Sequence, residues 1–332
     1  MSRTKSKARL VYLTVTACIA FTVLHACTPD QSDTQVQPTQ DEPYRLVENW
    51  ARLPDGLVWG QLIAVDTDED GNLIAFHRCS SDTCVGRSEP PLLKFNPSGE
   101  LLMSWGEGLL VWPHGLDVDV EGNIWITDGR HEGGKGEVVV KFSPEGEVLM
   151  TIGTPGVAGD GPYTFNGVCD VAVAANGDIF VADGHLNNRI VKYAADGRFL
   201  MAWGQAGTGS GEFDMPHGLG IDSQGRVFVA DRGNSRLQIF DQEGRFLDEW
   251  AQFGRPSGIF ISRNDRLYVA DSQSGDDVNP GFEMGIYFGS AVDGSVAGYI
   301  GDILTESVTE DPNGNLFSGL VANRGLQRYV RN

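Results

Sequence analysis

Positive charge is scarce in this chain of 332 residues, where 25 lysines and arginines face 45 aspartates and glutamates for a formal charge of −20. So acidic a surface repels phosphate backbones and anionic headgroups. That excludes nucleic acid as a partner and leaves metals, cationic groups or neutral ligands. Cysteine is sparse as well, with five in all. Cys79 and Cys84 bracket Ser-Ser-Asp-Thr and are expected to close a small loop disulfide in an oxidising compartment. Cys169, beside Val168 and Val171, reads as a buried small apolar side chain and not as a nucleophile. No Gly-x-Ser-x-Gly elbow and no His-Glu-x-x-His helix occur, which argues against serine hydrolases and zincins. The run Asp66-Thr-Asp68-Glu-Asp70-Gly71 opens like an EF-hand loop, but its twelfth position is His77, so a solvated hairpin turn is expected.

The apolar stretch Leu10 to Leu24 follows the basic residues Arg3, Lys5, Lys7 and Arg9. It is too short to span a bilayer comfortably and has the layout of a signal segment. Leu24-His25-Ala26-Cys27 resembles a bacterial lipobox. Residues 1–26 are therefore expected to be a lipoprotein-type signal peptide, with export to the cell envelope and a lipid anchor on Cys27 at the outer membrane or periplasmic face. Ordinary signal cleavage nearby is the alternative. Residues 27–43 are polar and Pro-containing and read as a flexible tether.

What the chain does have is a repeated phrase. Gly115-Leu-Asp-Val-Asp…Gly122-Asn-Ile-Trp-Ile-Thr-Asp128 returns as Asp170-Val-Ala-Val…Phe-Val-Ala-Asp183, as Gly218-Leu-Gly-Ile-Asp…Phe-Val-Ala-Asp231 and as Gly258-Ile-Phe-Ile…Tyr-Val-Ala-Asp271. Looser copies begin at Ile63 and Ser307. A period of 40 to 55 residues between closing aspartates belongs to propellers or solenoids. Six copies over residues 44–332 predict an all-β, six-bladed β-propeller. The segment Tyr44 to Ala51 has an outer-strand pattern but precedes the first blade, while the C-terminus ends on a third-strand pattern. The N-terminal strand is thus expected to complete the last blade and hide its edge. The glycine-rich run 204–211 has no helix behind it and reads as an inter-blade loop.

In a propeller, residues at one phase of different repeats meet at one mouth of the central channel. Pro113-His114-Gly-Leu and Pro216-His217-Gly-Leu are two such copies, two blades apart. Converging neutral imidazoles suit zinc or another transition metal. At the same phase of the last blade stands Glu306, a candidate third ligand, with a solvated surface carboxylate as its bland reading.

The motifs Phe76-His77-Arg78, Pro113-His114-Gly-Leu116, Phe180-Val-Ala-Asp183-Gly184, Pro216-His217-Gly-Leu and Ala230-Asp231-Arg232 resemble, in order and separation, the NHL-repeat propeller of peptidyl-α-hydroxyglycine α-amidating lyases. The likeness is strong through residue 240 and weak after 255. It implies cleavage of a terminal α-hydroxyglycine to an amide and glyoxylate, three channel histidines on zinc, a calcium held partly by carbonyls, a catalytic tyrosine and two arginines. Carried over, it makes His114 and His217 zinc ligands, Arg78 and Arg232 the anion-binding arginines, and Ile63 and Leu116 calcium-binding carbonyls. Three departures stand out. His185 replaces the tyrosine, Glu306-Ser307 replaces the third His and a calcium-binding Asp, and Asn166 and Leu186 replace a disulfide pair.

His185 is expected as the general base, with its being a metal ligand as the alternative. Glu306 would be the third zinc ligand. The expected protein is a monomeric metal-dependent lyase with a peptide or small-molecule substrate. The alternative is a noncatalytic NHL propeller that binds a peptide or protein at the cell envelope.

Overall fold

The strands are short and glycine-punctuated, and the positions between the first and second strand of several repeats are glycines with left-handed backbone, among them Gly122, Gly177, Gly225 and Gly314 at φ of 79°, 86°, 78° and 81°. Each such turn sends the chain back antiparallel. The computed structural model describes residues 43–322 and 324–332. The signal segment, Cys27 and the tether up to residue 42 lie outside the described residues.

Six four-stranded antiparallel sheets result. Their inner strands are Leu62–Thr67, Pro113–Val118, Val168–Val173, Pro216–Ile221, Pro256–Ile261 and Thr305–Glu310. Each inner strand packs on the next and the sixth packs on the first, so the ring closes. Second strands such as Ile124–Asp128 and Val227–Asp231 are buried at every position, because neighbouring blades cover both faces. The outermost strand Leu101–Trp105 alternates between half-buried and exposed, as a strand at the rim should. The strand Tyr44–Val47 pairs antiparallel with Gly325–Arg331 and completes the sixth sheet. The Tyr44 hydroxyl lies 2.9 Å from that of Tyr268 and accepts from Arg266 Nη2 at 2.7 Å, which ties the first strand to the fifth blade.

Two features of the repeat position the site. Every inner strand carries a register irregularity at its mouth end, at Leu62/Ala64, Pro113/Leu116, Val168/Asp170, Pro216/Leu219, Pro256/Gly258 and Thr305/Ser307. A bulge there re-aims the extra residue, and the residues at that phase are Ile63, His114, Cys169, His217, Ser257 and Glu306. The second feature is the closing aspartate, which accepts backbone N–H groups from the loop entering its own blade: Val111 and Trp112 on Asp128, Asn166 on Asp183, Asp214 on Asp231 and Arg255 on Asp271. The repeated Asp therefore clamps the loops that carry the mouth residues. Cys79 and Cys84 are disulfide-bonded, and Cys169 is a buried free thiol. Asp68 caps the turn at Gly71 by accepting from the N–H groups of Asp70 and Asn72, in the hairpin turn expected of that segment.

Candidate metal centre

His114 and His217 project from bulges of the second and fourth blades. His185 comes from the loop after the second strand of the third blade, two residues past Asp183. Their ring nitrogens lie within 4.8 Å of one another. His185 Nε2 is 2.9 Å from His114 Nε2, and the His217 ring centroid is 4.7 Å from that of His114 and 5.2 Å from that of His185. The next blade's bulge carbonyl orients each of the two bulge histidines: His114 Nδ1 donates to Cys169 O and His217 Nδ1 to Ser257 O, both at 2.8 Å. A carbonyl only accepts, so both rings carry their proton on Nδ1 and turn a bare Nε2 lone pair toward the cluster.

The His185 loop is held by backbone bonds from His185 N–H to Gly167 O and from Leu186 N–H to Asn166 O. Asn166 and Leu186, the pair expected to replace a disulfide, are thus still joined.

Burial, with the Arg232, Arg78 and Arg130 guanidiniums behind it, pushes His185 down to about 3. Burial likewise holds His114 well below the usual imidazole range, aided by His185, Arg78 and Arg232, and holds His217 there with help from Arg232 and the other two histidines. All three rings are neutral at pH 7, as ligation requires. His217 Nε2 is buried without any hydrogen-bond partner, as are Arg232 Nε and Ser307 Oγ at the same mouth. Buried polar atoms left unpaired at one place mark a missing ligand. Three imidazoles converging from three blades, with Nε2 of His217 unpartnered, fit a tetrahedral transition metal with one open position.

Glu306 lies on the same channel wall as His114 and His217. Its carboxylate Oε1 faces Arg232 Nη1 at 3.3 Å, and the three-residue ligand cluster does not include it. Of the two roles expected for His185, base or metal ligand, the geometry suits the ligand, while the Glu306 carboxylate faces an arginine. The third ring nitrogen comes from His185, and the carboxylate is engaged by an arginine. Phase identified the mouth for Glu306 but not where its carboxylate turns, and His185 lies outside the bulge phase, in the loop after the second strand.

Arg78 is buried. Its Nε donates to Pro113 O at 3.1 Å and its Nη1 to Gln61 Oε1. Burial lowers it to about 10. Arg232 opens a short 3-10 turn, and its Nη2 rests on Met215 Sδ at 2.7 Å. Met215, just before Pro216-His217, has a left-handed φ of 59°, a strained conformation for a side chain of this kind. Ile63 and Leu116 line the channel cavity beneath the histidines together with Asp170 and Ser307. Asp170 is held up at about 7, chiefly by burial, although it accepts from the N–H groups of Leu219 and Val171.

Two site residues escaped the sequence reading. Trp112 stacks near the imidazoles, its ring centroid 5.0 Å from His114 and 5.4 Å from His185. Arg130 sits over Trp112, 3.9 Å from the centroid. The signal was available: Arg130 lies two residues past Asp128, as His185 lies two past Asp183.

Residues 213–240 match the NHL repeat. Human NHL repeat-containing protein 3 is 35% identical over 206 residues, which is 60% of this chain and 57% of that protein. Peptidyl-alpha-hydroxyglycine alpha-amidating lyase 1 of Drosophila melanogaster is 35% identical over 211 residues, 54% of this chain and 38% of that one. The chain thus spans about half or less of the length of these curated relatives. A solved gluconolactonase structure from Xanthomonas campestris superposes with a TM-score of 0.59 over 89% of this chain and 97% of its own, at 16% identity, a likeness of fold alone.

Proposed function

We propose that this six-bladed NHL-repeat propeller, which resembles the peptidyl-α-hydroxyglycine α-amidating lyases, is a metal-dependent lyase that splits a carbinolamide into an amide and glyoxylate. The observation that carries the reading is the convergence of His114, His185 and His217, with unpartnered His217 Nε2 beside two buried arginines in a strongly acidic chain. Those three histidines would hold zinc or a similar divalent ion, which when bound supplies Lewis acidity at the substrate hydroxyl.

Arg78 and Arg232 neutralise the substrate carboxylate. Arg232 Nε, buried and unpaired, is a donor free for it. With the tyrosine of the resembling family absent and His185 among the ligands, Glu306 is the base at hand. Its carboxylate takes the hydroxyl proton, the O–H electron pair forms the new C=O, the C–N bond breaks, and the proton is returned to the departing amide nitrogen. Atoms and charge balance, giving R–CO–NH2 and glyoxylate. A second ion of the calcium type would be held by the carbonyls of Ile63 and Leu116, with Ser307 in place of a carboxylate, as the resemblance implies. Export by residues 1–26 and anchoring at Cys27 would place this chemistry at the cell envelope.

The noncatalytic alternative draws on the likeness to NHL repeat-containing protein 3 and on the missing tyrosine. Glyoxylate release from N-benzoyl-α-hydroxyglycine by purified protein, with zinc, with chelator and with His217→Ala, decides between them. Zinc-dependent release abolished by the substitution supports the lyase. Absence of release with and without metal supports the binding platform.

A further inference from the structure

The geometry points to Arg130 as a third anion-binding group that selects substrates carrying a second negative charge beyond the α-hydroxyglycine carboxylate. Arg78 and Arg130 both lie with Cζ 3.9 Å from the centroid of the Trp112 ring, so the two cations are at most twice that distance apart. Stacking on an indole leaves a guanidinium's in-plane N–H groups free to bind an anion edge-on.

The loop carrying Arg130 is fixed: Glu132 and Lys135 bridge, and Gly136, at φ +79°, passes so close over the Arg130 carbonyl that a Cβ there would fall 1.7 Å from it. Asp128, two residues earlier, clamps the backbone of Trp112 from the other side. Among the described residues Arg130 makes no ion pair, although the chain has 45 acidic residues to offer. Arg78 is likewise held by a carbonyl and an amide oxygen rather than by a carboxylate. Arginines kept unpaired on one tryptophan, in a protein of this charge, form a local positive field at the mouth.

The inference rests on Arg78 receiving the substrate carboxylate. Arg130 would then meet an anion placed several bonds along the acyl part, such as an acidic side chain or a terminal carboxylate. The class of substrate is an acyl-α-hydroxyglycine with an acidic acyl group.

N-Succinylglycine and N-succinamoylglycine differ only in a terminal carboxylate against a neutral amide, and neither has the hydroxyl that would let it react. Calorimetric titration of both into the metal-loaded full-length protein at low salt is expected to show about tenfold tighter binding of the dianion, as one charge-assisted pair supplies. In Arg130→Gln that ratio falls to about two or less. In Arg130→Glu it inverts. Because a ratio is read, a general weakening of the site cancels. A wild-type ratio near one, an undiminished ratio in Arg130→Gln, or no binding of either probe overturns the inference. Glyoxylate release with a ratio of one sinks this inference alone, whereas the predicted ratios without any glyoxylate release sink the lyase reading alone.

Discussion

The assignment of His185 as the third ligand, with Glu306 turned to Arg232, can be tested without any substrate. Competition for zinc against a chromophoric chelator, with the cobalt spectrum as a check on ligand type, compares His185→Ala, Glu306→Gln and His217→Ala. Loss of a group that merely orients a ligand costs about 10- to 100-fold in affinity, so loss of a ligand itself should exceed about 100-fold. His185→Ala and His217→Ala are both expected to fall by at least that much, because their ring nitrogens stand with His114 within 4.8 Å.

Glu306→Gln leaves all three imidazoles in place and removes only the charge facing Arg232 at 3.3 Å. Its zinc affinity should stay within about threefold, while turnover drops about 100-fold or more if the carboxylate moves the proton. Affinity should also hold from pH 8 down to about 5, since burial and the nearby arginines keep His185 neutral to about 3. Normal zinc binding by His185→Ala, with loss in Glu306→Gln equal to that in His217→Ala, would refute this assignment and make Glu306 the ligand.

Asp128→Ala strands the buried N–H groups of Val111 and Trp112, each costing about 1–3 kcal/mol, so urea unfolding should show about 2–6 kcal/mol of destabilisation. Asp170 and Asp66 are raised by burial from 3.8 to about 7 and about 6. A carboxyl raised in the folded state stabilises the fold below its unfolded value and loses that contribution as pH rises through its folded value. The unfolding midpoint should therefore fall between pH 5 and pH 8, and Asp170→Asn should flatten the slope. Reducing the Cys79–Cys84 bridge, which closes a loop of sequence separation 5, should cost about 2 kcal/mol in a chemical melt. Because the bridge adjoins Arg78, reduction should also raise KM.

The blades were legible because each repeat restates the same local instructions: a glycine turn, a second strand buried on both faces, and a closing Asp whose acceptor atoms take N–H groups from the loop beside it. Six restatements over-determine the ring, and phase then assigns His114 and His217 to one mouth without any coordinates. Phase is an angular coordinate, however, and chemistry at the mouth is decided by depth and by neighbours. Glu306 occupies the same bulge phase as the two histidines, yet its carboxylate, next to Arg232, turns to the arginine. His185 stands one step out of phase, in a loop after the second strand, yet its imidazole, on a backbone pinned to Gly167, reaches the cluster. Arg130 shares that outer phase, but phase alone does not show its function, because its partner is the face of Trp112, 18 positions away, brought under it by Asp128. The same clamp that makes the repeat recognisable thus sets the unrepeated residues, and a substitution at Asp128 should disturb stability and anion selectivity together.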